Sequence, residues 1–522
     1  DCNRRSSALV PAARDMLAVL LAATLPWVGW LGSASGAGRG VRRSAVAPRV
    51  AVPIRAGVRG FVRPNLNMTT SVISSTVQEP RHATKAVRMS PWTAARAAWT
   101  SNSFHEFMSY MRAHQGDILE VDLWPVLPPI YLVMGKAANR AVLSELDSAL
   151  EQVLQDLINV LPVSAKIPSE VDVELQRKVA SFFQKESTVN GQLPRFISAA
   201  RTMREGWLAK PESSATLDVF FELSEYVLLT DLEVLYGKSF CDKYGARVIP
   251  GFRQWVENIA NGELVGFFAE LGDCLREAIA EQLAHPERYA DERSVMRVYL
   301  EDGALDGRHD VDEVVGLLTM TLMAAVFNTQ VSLAWILVHL YEEPELLAAA
   351  RHELEGCSDL ANYSQLQQME FVNSCIDESV RLHTMLPGNT VLRKTLSDVR
   401  LLDVDIPADS LLWLYPNAVH QDEQYFEDAP SFCPMRLIGE GKIKRMGEEF
   451  ELVTFGLGQK RCIGEKMARA MICAFLGESL PYMDARGPEK LPLDNNLFDL
   501  IPASKLQLRD LRPRNPSVTG LS

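Results

Sequence analysis

The chain has 522 residues, 47% of them hydrophobic and 23% charged, with a formal net charge of −13. That balance suits a folded chain with a large buried core and excludes a low-complexity scaffold. None of its eight cysteines forms a C-x-x-C pair or a dense spacing, which argues against a disulfide framework and for one functional thiol among structural ones.

Charge is unevenly spread. Residues 1–89 hold 13 Lys/Arg against 3 Asp/Glu, and this net of +10 leaves −23 for the remainder. An acidic body excludes nucleic acid as a partner. Arg4, Arg5 and Arg14 precede an uncharged, signal-like run from Met16 to Gly38. Seven arginines and no acid follow between Arg39 and Arg63, as in transit peptides. Two readings stay open: a two-part plastid presequence, or an N-terminal membrane anchor with a basic linker. Both place residues 1–89 outside the fold, leave 90–522 as the catalytic domain, and imply membrane association at the endoplasmic reticulum or a plastid.

From about Ser90 the pattern is mostly helical with a small β region. Apolar residues at helical spacing predict helices over Ala137–Leu161 and Leu217–Tyr236, the latter ending before Gly237. Val311–Tyr341 predicts a long one, uncharged from Val314 to Val338. Its length suits a membrane span, but the continuous domain that follows favours a helix buried on all sides. The segment Cys375–His383 is helical, and short β-branched runs at Thr390–Leu396, Val399–Leu402 and Ser410–Tyr415 read as strands. A polar, loop-rich stretch then runs from Asn417 to Glu449, and Glu465–Leu480 closes the pattern as an apolar helix.

The sharpest signal is Phe455-Gly-Leu-Gly-Gln-Lys-Arg-Cys-Ile-Gly464, a glycine-rich loop whose cysteine opens the helix Glu465–Leu480. The positive end of the helix dipole favours a thiolate there, and Lys460 and Arg461 add positive potential. Glycines let backbone approach a flat ligand, and backbone N–H groups can point at the sulfur. The spacing F-x-x-G-x-x-x-C-x-G resembles the haem-ligand signature of the cytochrome P450 family, matched at Phe455, Gly458, Cys462 and Gly464. The resemblance implies the cytochrome P450 fold, haem b (iron protoporphyrin IX) as cofactor, and Cys462 as the axial iron ligand. It also implies Lys460 and Arg393 as haem-propionate partners.

Two further segments carry the same resemblance. Glu378 and Arg381 lie three apart on one helix face among Ile376, Val380 and Leu382, so they can pair with partial burial. A buried pair needs further partners, and Arg436 of Phe432-Cys-Pro-Met-Arg436 can supply one. The resemblance implies that Glu378, Arg381 and Arg436 form a structural network. Asn417-Ala-Val-His-Gln-Asp422 is similar to another family segment, in which His420 is structural or propionate-facing. In feel the chain sits nearest the sterol 14-demethylase, cholesterol 7-hydroxylase and prostacyclin synthase branch.

One stretch departs from the family. Its usual A-G-x-[DE]-T-[TS] becomes Ala324-Ala-Val-Phe-Asn-Thr329, so that Phe327 replaces the acid and Asn328 the first alcohol, while Thr329 remains. Asn is a poor acid but donates and accepts hydrogen bonds, so Asn328 can hold a water for proton delivery or position a peroxide oxygen. Asn328 and Thr329 are therefore the candidate catalytic residues. The implied activity is a monooxygenase of lipid metabolism, inserting one oxygen of dioxygen into an apolar lipid, sterol or isoprenoid. Its electrons would come from NADPH-cytochrome P450 reductase or ferredoxin. A hydroperoxide isomerase or dehydratase, and a haem-binding protein without catalysis, are the alternatives.

Overall fold

The computed structural model describes residues 87–89, 104–121, 130–146, 149–152, 172–210, 216–260, 267–383, 391–439, 452–488 and 505–516. The expected presequence lies almost wholly outside them. In chain order the elements begin with β1 (Val87–Met89), α1 (Phe104–Gln115), β2 (Ile118–Val121), β3 (Ile130–Val133), α2 (Lys136–Arg140) and β4 (Leu150–Gln152). A helical block follows: α3 (Val173–Gln184), α4 (Glu186–Leu208), β5 (Leu217–Asp218), α5 (Val219–Tyr236), α6 (Lys238–Ala260), α7 (Phe267–Ala284), α8 (Val295–Glu301), α9 (Val311–Glu342), α10 (Pro344–Gly356), α11 (Tyr363–Gln368) and α12 (Glu370–Leu382). Four strands, β6 (Val391–Thr395), β7 (Val399–Leu401), β8 (Val404–Ile406) and β9 (Leu411–Leu414), precede α13 (Asn417–His420), α14 (Glu465–Ser479), β10 (Met483–Arg486) and β11 (Gln507–Pro513).

Helix α9 is the axis of the molecule. Asp310 and Glu313 close a capping box at its start, and its 32 residues give a rod about 48 Å long. From Thr329 to Tyr341 every residue is buried, so its apolar run is the centre of a protein core. Over the most apolar window of this helix, 61% is buried. Helix α5 packs along it, and Gln330 donates from Nε2 to the Phe220 carbonyl at 2.7 Å. Helix α14 packs on α4, and Tyr226 of α5 donates to the Met471 carbonyl at 2.8 Å. Helix α12 joins α9 through Ser379 Oγ, which donates to the Ser332 carbonyl at 3.1 Å. The His339 and His383 Nε2 atoms meet at 3.0 Å, and Trp335 stacks on the His383 ring with centroids 3.8 Å apart. Gly237 ends α5 with φ +97, and a side chain there would strike the Glu292 carboxylate at 2.4 Å.

The main sheet has the order β1-β2-β3-β9-β6-β4, with β10-β11-β5 and β7-β8 as smaller ones. The helix expected over Ala137–Leu161 is not continuous. Its first part is α2 with a wider π-type turn at Ala141–Glu145, after which Leu150–Gln152 pairs antiparallel with Thr395–Arg393. Val142, Leu143 and Leu150 keep the apolar spacing because they fill one core cluster beneath the sheet. Strand pairing with β6 overrides the local helical period there.

Candidate active site at a thiol loop

Phe455 to Gly464 forms a tight loop ahead of α14. The Cys462 N–H donates to the Phe455 carbonyl at 2.8 Å, closing it. Gly456 and Gly458 take φ of +73 and +72, which L side chains rarely adopt, so the two glycines are required by the backbone. Gly458–Lys460 makes one 3-10 turn, and Gly464 stands at the N-cap of α14. Lys460 is half-buried at the end of that turn.

The Cys462 side chain is accessible to solvent, yet protein surrounds it closely enough for burial to push its thiol pKa up. The two facts agree if the sulfur faces an opening inside the protein. The backbone N–H groups of Gly464 and Glu465, at the start of α14, counter the upward shift. Arg461 contributes less than expected, because it is paired with Glu465 at 3.0 Å, whose charge opposes a thiolate. The helix-start N–H groups and Arg461 thus favour the thiolate as expected, while desolvation, the largest influence, works against it.

A second opening lies on α9. Ala324 and Asn328 are exposed in mid-helix, one turn apart, with Met320, Thr321 and Ala325 partly open beside them. The Asn328 Nδ2 donates to the Ala324 carbonyl at 2.8 Å. Because that partner can only accept, the amide orientation is fixed, and Oδ1 remains as an acceptor toward the opening. Phe327 points the other way and is buried against Trp255 and Phe252, with centroids 5.3 and 6.2 Å away. Thr329 is also buried, 5% exposed, so the structure parts it from Asn328. Neighbouring residues on a helix differ by about 100°, and only Asn328 lies on the open stripe.

The expected structural network is assembled in full. Glu378 and Arg381 are completely buried, with Glu378 Oε2 accepting from Arg381 Nε at 2.8 Å and Oε1 from Nη2 at 2.7 Å. Oε1 also accepts from Arg436 Nε at 2.9 Å and from the Cys433 N–H at 3.0 Å. Arg381 spends its remaining donors on the carbonyls of His420, Ala429 and Ser431 at 2.6, 2.7 and 3.1 Å. Arg393 is buried in β6, opposite Gln152 of β4 and Leu412 of β9, with Nη1 donating to the Leu392 carbonyl at 3.0 Å.

One set of residues escaped sequence reasoning. Arg469 of α14 donates to Asp377 at 2.6 Å and Glu465 at 3.1 Å, and its guanidinium lies 4.8 Å from the Phe455 ring centroid. Thr454 donates to the same Asp377 oxygen at 3.1 Å. This network fastens both ends of the thiol loop to α12. Arg469 at i+4 from Glu465 was the visible hint, but Asp377 lies 92 residues away and gives none.

His420 is structural. Its Nε2 accepts from the Val453 N–H at 3.0 Å, steering the chain into the thiol loop, and burial followed by the Arg381 charge holds its pKa down to about 3. An unfolded histidine titrates near about 6.5, so the unfolded chain takes up the proton first as pH falls. The contribution is intact above that pH and is lost as pH falls toward the folded value. Stability is expected to drop by about 2 kcal/mol from this group between pH 7 and pH 5. Urea unfolding at both pH values checks it, and a His420→Asn variant should lack this part of the slope. An unchanged slope would contradict the assignment.

The arrangement fits a haem. An accessible cysteine sits at a helix start on a loop with two left-handed glycines, and the core helix exposes one polar side chain, Asn328, in mid-run. Cys462 would hold the iron. Lys460 and Arg393 remain the basic residues to be tested against propionates.

Residues 263–486 match the family model described as Cytochrome P450. Among similar proteins is "25-hydroxyvitamin D-1 alpha hydroxylase, mitochondrial" of Rattus norvegicus, 30% identical over 179 residues, 33% of this chain and 35% of the relative. The 7-ethoxycoumarin O-deethylase of Helianthus tuberosus is 27% identical over 176 residues, 33% of this chain and 35% of the relative. The 2-hydroxyisoflavanone synthase of Glycyrrhiza uralensis is 27% identical over 208 residues, 38% of this chain and 39% of the relative. The chain thus spans little more than a third of the length of these relatives. The matched segment contains the thiol loop, the buried Glu378 network and the open stripe of α9, and it is residues 263–486 that match the cytochrome P450 family, whose cofactor is haem held by a cysteine thiolate.

Proposed function

We propose that this protein is a haem-thiolate monooxygenase that inserts one oxygen atom of dioxygen into an apolar substrate of the lipid, sterol or isoprenoid class. The observation that carries the reading is the accessible Cys462 on a glycine loop closed by its own N–H at the start of α14. When bound, haem supplies oxidising chemistry that a thiolate ligand favours through electron donation. The chain's own residues divide the remaining work. Asn328 offers Oδ1 to hold a water at the open stripe, Thr329 packs away from it, and Phe327 closes the aromatic wall behind. The similar proteins named a hydroxylase and an O-deethylase support oxidative chemistry on small organic molecules. Electrons would come from a reductase flavoprotein or a ferredoxin, and residues 1–89 would attach the protein to an endoplasmic-reticulum or plastid membrane.

A second reading rests on Asn328. The described part of the α9 opening presents an amide where a proton donor would be expected, and this suits a substrate that already carries its activated oxygen. A hydroperoxide rearrangement needs no relay. The test uses the haem-loaded chain with a fatty-acid hydroperoxide, without reductant or dioxygen. Fast, specific conversion would replace the monooxygenase reading. No conversion, with reductase-driven dioxygen consumption, supports it. In that case Asn328→Ala is expected to lower coupled product formation by roughly a hundredfold, the lower end of what placed proton transfer contributes, with hydrogen peroxide rising in its place.

A further inference from the structure

Two histidines meet where α12 ends against α9. The Nε2 atoms of His339, on α9, and His383, the C-cap of α12, are 3.0 Å apart. Flat rings clamp the pair from both sides. Trp335 stacks on His383 with centroids 3.8 Å apart and planes at 4°, and Phe432 stacks on His339 at 4.2 Å and 4°. Neither imidazole can swing away without giving up its stack. His339 is buried and His383 half-buried.

At this distance the two nitrogens need one proton between them. One Nε2–H donates and the other Nε2 accepts. A proton on both sets two donors and two positive charges head to head. The charged neighbours are committed elsewhere. On α12, Glu378 and Arg381 hold each other, and Arg436, beyond Phe432, holds the same Glu378. On α10, Arg351 pairs with Asp484, and Glu353 accepts the Phe371 and Val372 N–H groups. Glu342 and Glu343 follow His339 at the end of α9. Desolvation, and then His383, hold the His339 pKa well below the usual imidazole value, and no carboxylate opposes them.

We propose that His339 and His383 form an acid-sensitive latch between α9 and α12, closed by one proton between the two nitrogens and opened when both are protonated. The latch lies between the two halves of the site. Helix α9 carries Asn328, and α12 carries Asp377, which accepts from Arg469 and Thr454 at the two ends of the thiol loop. Opened histidines take up two protons below about 6.5, whereas the closed pair takes up at most one. The latch is therefore intact above that pH and weakens as pH falls. One extra proton bound by the opened form multiplies opening by roughly twentyfold between pH 7 and pH 5.

Two mass-spectrometric measurements on the whole chain test this. Amide exchange, corrected for its intrinsic pH dependence, reads the opening of α12 and of 332–341. Exchange at the imidazole C2 position reads the protonation of each histidine. In the wild type both imidazoles should become protonated only where the α12 amides lose protection. In His339→Phe, which keeps a ring against Phe432 but has no titrating nitrogen, the acid-induced rise in amide exchange should be smaller by roughly that twentyfold factor. The proposal is overturned if both histidines protonate while α12 stays as protected as at pH 7. An equal acid-induced rise in wild type and His339→Phe overturns it too. The first criterion needs no variant, so it holds even where His339→Phe does not fold.

Discussion

Replacing Cys462 with serine is expected to leave the fold standing and remove the cofactor chemistry. The side chain is accessible and is not part of any buried core cluster, so one changed atom costs less than about 1 kcal/mol of stability. Serine is close in size and also accepts hydrogen bonds, so the start of α14 keeps a polar side chain at this position. What serine lacks is softness: a hydroxyl is a far poorer ligand for iron than a thiolate, and it does not ionise in a site where burial already pushes even the thiol up. Loss of an outer partner at a metal site costs up to about a hundredfold in affinity, and loss of the ligand itself should exceed that. Haem titration of wild type and Cys462→Ser, with the reduced carbon-monoxide spectrum of each, checks it. Retention of a thiolate spectrum would require another cysteine to be the ligand. Cys375 and Cys473 are poor replacements, being fully buried with pKa values pushed up by desolvation, that of Cys473 to about 12.

The parts of this molecule that were readable in its sequence are those whose signals are local. The α9 run, the glycine-cysteine loop and the Glu378/Arg381 pair each lie within one segment, where period, turn chemistry and i,i+3 spacing speak directly. The sheet was less legible. Strands β2 and β3 are four residues each, and β3 is buried throughout, so it shows no alternation and cannot be told from a piece of buried helix. The pairing of β3 with β9, distant in the chain, is set by tertiary contact. The same distance hid Asp377 and Arg469, since two charges 92 residues apart announce nothing until both are buried against one loop. Charge near Cys462 was half legible: Arg461 favours a thiolate as its position implies, and its partner Glu465 opposes it. At the α9 opening, sequence placed Asn328 and Thr329 together, and only the helix phase separates the exposed one from the buried one.

Removing the Glu378 carboxylate is expected to be the most damaging single change outside the thiol loop, and the damage should be to stability. Four donors converge on it: Arg381 Nε and Nη2, Arg436 Nε and the Cys433 N–H, all between 2.7 and 3.0 Å. In Glu378→Gln one oxygen becomes an amide nitrogen that faces donors, and the completely buried Arg381 charge loses its counter-charge. Breaking one side of such a pair costs about 3–5 kcal/mol, a large share of the 5–15 kcal/mol typical of a folded domain. Arg381→Lys should cost nearly as much, because an ammonium cannot reproduce the fork that also reaches the His420, Ala429 and Ser431 carbonyls. Exchanging the two residues should not rescue the fold, since those three carbonyls would then face a carboxylate. Urea unfolding of the variants, with and without haem, separates a structural role from a cofactor role. An equal loss in both states marks the network as the clamp that holds α12 to the segment leading into the thiol loop. A loss of less than about 1 kcal/mol, within the range of ordinary surface changes, would mean that the buried pair is not what locks these elements together.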